Sequence, residues 1–490
     1  MRQFLSLARA AAVVLSVAST LPVMASVNDP QFPADIAVYY PGSDVFANAT
    51  ERWSIYAAPA FAAAVRPSNE QEVAKVVKAA RASKTPFLAT GGRHGYGTSL
   101  GKLRNGLAID LSKLNTIEIN AAAETATVGP GVKIAELIAP LQEAGFEMPV
   151  GSCPSVGVIG ATLGAGVGLF QGLFGLIIDV LVSVRLVTAN GDVVEASARS
   201  NPELFWGIRG AGANFGIITS ATYKLTKAVN GGQVFTADMI YPASLRKDYF
   251  NVLKTYEDTM PAELALNTAI TWNADTNDTQ VIGTFVYSGP EAEARRVLAP
   301  FFDLNPPVVR SSVVPYSEVP FTVLFGLVAM MSQPGGIHDI FSANVLRFSV
   351  ESLNTAFDKY DAFYKAHPDG RNSVAVLESF ANQAVVAVPH DATAYPWRES
   401  KGNFMFQMSW PELGNPVEEA ANALARELRD DFAATSGYPD LSVYVSYAHG
   451  DEKIEQIYGR DKLPRLVALK GKWDPDNVFA YNNALPTKLP

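Results

Sequence analysis

The chain has 490 residues, 48% hydrophobic and 18% charged, a globular composition that excludes a disordered or coiled-coil protein and allows two or three domains. Its 39 Lys+Arg against 48 Asp+Glu give a net charge of −9 without a basic run, which argues against nucleic-acid binding. The single cysteine excludes an intrachain disulfide framework and a thiolate-rich metal site, so no metal is expected.

Residues 1–25 have the pattern of a signal peptide: Arg2 and Arg9, an apolar stretch from Ala10 to Leu21, and a small-x-small cleavage site at Val23-Met24-Ala25. The apolar run is too short to span a bilayer and Pro22 interrupts it, so a secreted protein without a membrane anchor is expected. Asn48-Ala49-Thr50 and Asn277-Asp278-Thr279 are glycosylation sequons. A lone Cys153 in a secreted chain must be buried and inert, intermolecular, or chemically engaged.

Residues 26–66 read as loop. Ser68 opens a helix, with Gln71 completing a capping box and Val73, Val76, Val77 and Ala80 at helical spacing. Pro86–Thr90 is a strand running into Gly91-Gly92-Arg93-His94-Gly95-Tyr96-Gly97. Gly106–Leu111, Thr116–Glu118 and Thr125–Val128 are strands, and Lys133–Ala144 is an amphipathic helix. Val184–Thr188 and Val193–Ala196 form a hairpin, with Asn190-Gly191 setting a type I′ turn. From about residue 230 longer strands follow: Phe235–Ile240, Leu266–Trp272, Val281–Tyr287, Val374–Phe380 and Phe404–Trp410. Glu291–Leu304 and Asn354–Ala366 are helices between them, and Lys462–Pro486 is a helix followed by an extended tail. Both halves are α+β.

Three glycine patterns bear on chemistry. Gly97-Thr98-Ser99-Leu100-Gly101 has the letters of a hydrolase elbow without its strand–turn–helix setting, and reads as a turn. Gly164–Gly168 and Gly210–Gly216 do not make a dinucleotide fingerprint, and there is no Walker lysine. Gly91-Gly92-Arg93-His94-Gly95 follows a strand, and its glycines let backbone N–H groups converge on an anion such as a pyrophosphate. On residue types alone, His94 is equally a satisfied loop histidine and Cys153 a buried small residue.

Together these segments resemble the berberine bridge enzyme-like branch of the vanillyl-alcohol oxidase flavoproteins, which includes fungal secreted oligosaccharide oxidases. The similarity is carried by Arg66-Pro67-Ser68, by Gly91-Gly92-Arg93-His94, and by Gly151-Ser152-Cys153-Pro154-Ser155-Val156-Gly157. It continues in Leu204-Phe205-Trp206-Gly207-Ile208-Arg209-Gly210-Ala211-Gly212-Ala213-Asn214-Phe215-Gly216, in Tyr444-Val445-Ser446-Tyr447 and in Trp473-Asp474-Pro475-Asp476-Asn477-Val478-Phe479. Two departures stand out: Ser446 where the family usually has asparagine, and Trp397 where histidine is common.

The resemblance implies an α+β fold of two domains after an N-terminal segment over 26–57. A PCMH-type FAD-binding domain is expected over 58–228 and a substrate-binding domain, a large antiparallel sheet flanked by helices, over 229–440. A C-terminal segment over 441–490 returns to the FAD domain. FAD is implied as a bicovalent cofactor on His94 and Cys153, consuming the lone thiol. Gly91, Gly92, Arg93, Gly95, Ser152, Ser155, Val156, Gly157, Gly160, Ile218, Tyr481 and Asn482 are its implied contacts.

The implied activity is that of a secreted oxidase moving hydride from an alcohol or carbohydrate hydroxyl carbon to flavin, with O2 as acceptor and H2O2 as product. The small Val156 is the implied mark of oxygen reactivity. An oxidoreductase of secondary metabolism, acting on a small alcohol or closing a ring, is the alternative; a flavin-binding protein without turnover is a third. Tyr447 is the implied base, with Tyr444 and Tyr96 beside the substrate. On a strand, Tyr444 and Tyr447 would face opposite sides. A tyrosine base needs a pKa well below about 10, so a cation or hydrogen bonds to its anion are expected nearby. Glu378 and Gln407 either contact a polyol or are ordinary strand residues. Oligomeric state stays open.

Overall fold

The computed structural model describes residues 32–488, so the signal-peptide reading of residues 1–25 lies outside the described residues. The first half is built on two sheets. Phe61–Val65 and Phe87–Thr90 flank Gly106–Asp110 in parallel, and Val38–Tyr39 adds an antiparallel edge. Gly106–Asp110 is buried throughout, which is why it reads as a continuous apolar run rather than an alternating one. The second sheet is antiparallel, in the order Ile117–Asn120, Thr125–Val128, Ile217–Lys224, Leu181–Val187, Val193–Ser197.

Helix Glu70–Ala82 packs Val73, Val76, Val77 and Ala80 into the first core. Its cap lies one residue beyond the expected one. Asn69 accepts from the Glu72 amide at 2.9 Å, and the Glu72 carboxylate accepts from the Ser68 amide at 2.8 Å. A carboxylate complements the positive helix N-terminus better than the neutral Gln71 amide does. The 181–197 hairpin forms, but not with a type I′ turn. Residues 188–192 make a longer loop, closed by Thr188 N–H to Asp192 O at 2.9 Å. Only Gly191 there has positive φ, at +75°, whereas type I′ needs two such residues.

The second half is a seven-stranded, wholly antiparallel sheet. Its order is Val308–Pro315, Gln233–Pro242, Asp278–Tyr287, Leu264–Asn273, Val374–Phe380, Gly402–Met408, Asp339–Val345. Helices Arg246–Thr255, Val350–Ala366 and Val417–Thr435 cover one face, where Phe432 meets Phe404 at 3.9 Å. The expected helix over 291–304 is two, Glu291–Val297 and Ala299–Phe302, because Pro300 has no N–H to continue the ladder.

Side-chain alternation on Val374–Phe380 positions the site. Ala375 and Leu377 enter the helix-covered core, while Phe380 joins the core shared with the first half and Glu378 lies on that same face. Among the described residues no helix is long and apolar enough to cross a membrane.

A buried ion pair joins the two halves. Arg398 donates to Asp179 at 2.7 and 3.0 Å, with side chains 3% and 6% exposed. Asp179→Ala should leave the guanidinium short of its charge partner and cost about 3 kcal/mol or more. A lowered midpoint of urea unfolding is the expected reading.

Candidate active site

The site starts with two loops that touch backbone to backbone. A Cβ on Gly92 would lie 2.3 Å from the Gly157 nitrogen, and one on Gly91 would lie 2.1 Å from Pro130 O. Only glycine permits this approach. It brings the free thiol of Cys153 to 3.6 Å from His94 Nε2, and to 3.4 Å from both Ser155 Oγ and Ser332 Oγ. Burial, with Arg52 and Lys133 nearby, pushes the His94 pKa down to about 4, so its imidazole is neutral over the physiological range.

Gly97–Gly101, expected as a turn, winds into a 3-10 helix over Thr98–Lys102. Thr98 there donates to His449 O through its amide and hydroxyl, at 2.6 and 2.8 Å, anchoring the C-terminal segment. That segment carries Tyr444 and Tyr447, not on a strand but around a 3-10 turn, Val445–Tyr447. The Tyr447 amide donates to Tyr444 O at 2.7 Å, and the two rings meet at 4.8 Å. They therefore share one side rather than facing apart. Their uses differ: Tyr444 Oη accepts from the Gly166 amide at 3.0 Å, whereas Tyr447 Oη donates to Glu378 Oε2 at 2.8 Å. Ser446 packs directly on Gly164, which has no room for a side chain. A Cβ on Gly164 would lie 2.1 Å from the Ser446 hydroxyl.

The partner of Tyr447 is thus an acid that accepts from it, neither the expected cation nor a hydrogen-bond donor to its anion. Glu378 is 3% exposed, also accepts from Ser152 Oγ at 3.4 Å, and is pushed up to about 7 by burial. Burial and Glu378 hold Tyr447 well above its ordinary value. Tyr96 lies beside the same group, its buried hydroxyl without a partner among the described residues. Gln407 is further along, its amide 3.3 Å from His338 Nδ1.

The remaining expected contacts are scattered. Arg93, at φ +57°, directs its guanidinium to Asn48 O. Gly95 O accepts from Arg52 at 2.6 Å. Val156 packs against the first-half core, Ile218 is buried in its sheet, and Gly160 and Asn482 are exposed. Tyr481 O accepts from Ser99 Oγ at 3.4 Å. Sequence reasoning missed Trp53 and His338. Trp53 stacks on the His94 ring at 4.3 Å, and His338 on the other face of Trp53 at 4.1 Å. An isolated tryptophan in a segment read as loop gave no signal.

Two family models place this thiol–imidazole pair and the nearby tyrosine–carboxylate couple in a flavoprotein oxidoreductase. "FAD binding domain" matches residues 61–197, and "Berberine and berberine like" matches 443–486. The chain is 46% identical over 92% of its length to FAD-linked oxidoreductase OXR1 of Pyricularia oryzae, covering 89% of that protein. It is 47% identical over 93% of its length to FAD-linked oxidoreductase srdI of Neurospora crassa, covering 90%. It belongs to the berberine bridge enzyme-like family and is an FAD-linked oxidoreductase. Two solved structures share the fold, each covered over 98% of its length by 93% of this chain. They are Physcomitrella patens BBE-like 1 (TM-score 0.81, 23% identity) and a chitooligosaccharide oxidase (0.79, 21%).

Close behind Tyr447, His449 lies between Asp339 at 3.0 Å and Asp451 at 3.1 Å, with Phe341 stacked on its ring at 3.9 Å. Arg429 pairs with Asp451, and Glu452 accepts the His449 amide. Burial alone would lower the imidazole, but the carboxylates win and raise it to about 9. Its folded pKa exceeds the unfolded value of about 6.5, so this stabilisation is complete below that pH and lost as pH rises through about 9. Thermal unfolding should fall between pH 7 and pH 10, and His449→Gln should remove that part of the slope.

Proposed function

We propose that the protein is a secreted oxidase of CH–OH donors, with FAD tethered by His94 and Cys153 and dioxygen as the final acceptor. The observation carrying this reading is the Tyr447–Glu378 couple, 2.8 Å long, with Glu378 buried, on a wall shared with those two nucleophiles. The residues suit a flavin. A neutral imidazole and a free thiol stand side by side, and the Tyr96 hydroxyl and Thr90 Oγ1 are buried without partners among the described residues. When bound, FAD supplies the hydride acceptor and passes the electrons to dioxygen, giving hydrogen peroxide.

The chain's own part is proton removal. Tyr447 Oη takes the proton of the substrate hydroxyl while handing its own to Glu378 Oε2. A free phenolate never builds up, so the high pKa of Tyr447 does not block the step. Glu378 must start ionised, and its value of about 7 suits that at neutral or higher pH. Secretion is supported by the pattern over residues 1–25 and the exposure of the sequon residues Asn48 and Asn277.

The substrate is an alcohol or a carbohydrate hydroxyl. One observation favours the smaller class. Ser332 Oγ lies 3.4 Å from Cys153 Sγ, so its loop covers one side of the site. A secondary-metabolism enzyme, oxidising a small alcohol or closing a ring, is the second reading, and a panel of oligosaccharides against small alcohols in a flavin-bleaching assay separates the two.

Tyr447→Phe and Glu378→Gln should each slow flavin reduction about 10²- to 10⁴-fold. Wild-type reduction should accelerate with pH through about 7, and Glu378→Gln should lose that ionisation. Reduction by Tyr447→Phe at the wild-type rate would discard the base assignment. Acid-precipitated protein should stay yellow, with FAD mass on the His94 and Cys153 peptides. Free flavin in the supernatant would refute the tether.

A further inference from the structure

Trp53 lies outside both segments matched by the family models, yet its indole is the most constrained ring at the site. One face stacks on His94 at 4.3 Å and 13°, the other on His338 at 4.1 Å and 16°. Its Nε1–H donates to Met331 O at 2.8 Å, which stops the ring turning in its own plane. The backbone is stitched on both sides. The Trp53 amide donates to Arg93 O at 3.3 Å, and Trp53 O accepts from the Gly336 amide at 3.1 Å. The neighbouring residues do the same: Arg52 donates to Gly95 O at 2.6 Å, and Ser54 Oγ donates to His338 O at 2.9 Å. The strap Arg52-Trp53-Ser54 therefore joins the His94 loop to the loop over 331–338.

Resting on the reading of His94 as a flavin attachment point, the geometry points to Trp53 as a positioning residue that sets the plane of the His94 imidazole for bonding to the flavin methyl carbon, independently of Cys153. The bond forms between an imidazole nitrogen and that carbon. His94 gives up its N–H proton, the methyl gives up one hydrogen as a proton, and the two electrons released pass to the flavin ring. Dioxygen then takes those electrons and two protons as hydrogen peroxide. A neutral ring stacked on a fixed indole keeps its nitrogen lone pair in plane and aimed, and small misorientations in such steps are costly. Cys153 stands on the other loop, and its thiol contacts His94, Ser155 and Ser332 rather than the Trp53 indole.

The test uses the full-length protein produced with FAD available, digested, and read as the FAD-bearing fraction of the His94 and Cys153 peptides over time. Trp53→Leu keeps apolar bulk but removes the flat ring. It should slow attachment at His94 about tenfold or more while the Cys153 peptide still gains FAD, which also shows that the pocket has folded. Trp53→Phe retains a ring face and should keep most of the His94 attachment. Should Trp53→Leu fail to accumulate, Trp53→Met is read in the same way. Wild-type attachment at His94 in the Leu or Met variant, or an equal loss in the Phe variant, would overturn the positioning role alone. Absence of FAD from the His94 peptide of wild-type protein would overturn the tether reading and the proposal with it.

Discussion

The contact between Gly92 and Gly157 sets the rest of the site. The two loops come so close that a single methyl on Gly92 would overlap the opposing peptide nitrogen at 2.3 Å. Each loop follows from a rigid element: the first from strand Phe87–Thr90, the second into helix Val158–Gly164. Because the backbones touch, His94 and Cys153 have little freedom to separate, and Cys153 Sγ stands 3.6 Å from His94 Nε2. Ser152 and Tyr96 follow from the same constraint, one flanking Cys153 and the other beyond His94. Both reach the neighbourhood of Glu378. A larger residue at either glycine would part the loops and undo all these distances at once.

What faces these loops comes from elsewhere in the chain and is expensive. Glu378 is 3% exposed in the middle of a seven-stranded sheet, where a carboxylate loses its hydration. Two hydroxyls, Tyr447 and Ser152, offset part of that cost. A sheet built only for stability would carry an apolar residue there. Retaining an acid, with its pKa near neutrality, is the arrangement expected of a proton acceptor. The charged cluster of His449, Asp339, Asp451 and Arg429 serves another end. It pins the segment that delivers Tyr447.

The chain declares some of this and hides the rest. His94 and Cys153 lie in glycine-rich loops of distinctive order, so local motif reading reaches them directly. Strand Val374–Phe380 is equally plain, yet the use of Glu378 depends on which face meets a segment some seventy residues away, which no window captures. Tyr444-Val445-Ser446-Tyr447 has the aromatic and β-branched residues of a strand, but pairing never occurs there. The segment instead folds against Gly164 and closes a tight turn. Helix Val417–Thr435 went unrecognised although Val417, Ala421, Leu424, Ala425, Leu428 and Phe432 recur at helical spacing. Trp53 had no periodicity to betray it, since its partners lie in two distant loops.

A division of labour follows from where the two family-model matches fall. They cover the loops bearing His94 and Cys153 and the return segment bearing Tyr447. They leave out Glu378, Gln407, His338, Ser332 and Trp53. In the proposed reaction the shared parts bring cofactor and base together. The unmatched parts set the acid behind the base, the groups at its margin and the loop over Cys153. On that proposal, the approach of a substrate to the Tyr447 hydroxyl is shaped by residues from the sheet of the second half and the strap at Trp53. Substrate choice can change by altering those elements while the glycine contact, the two nucleophiles and the tyrosine stay as they are.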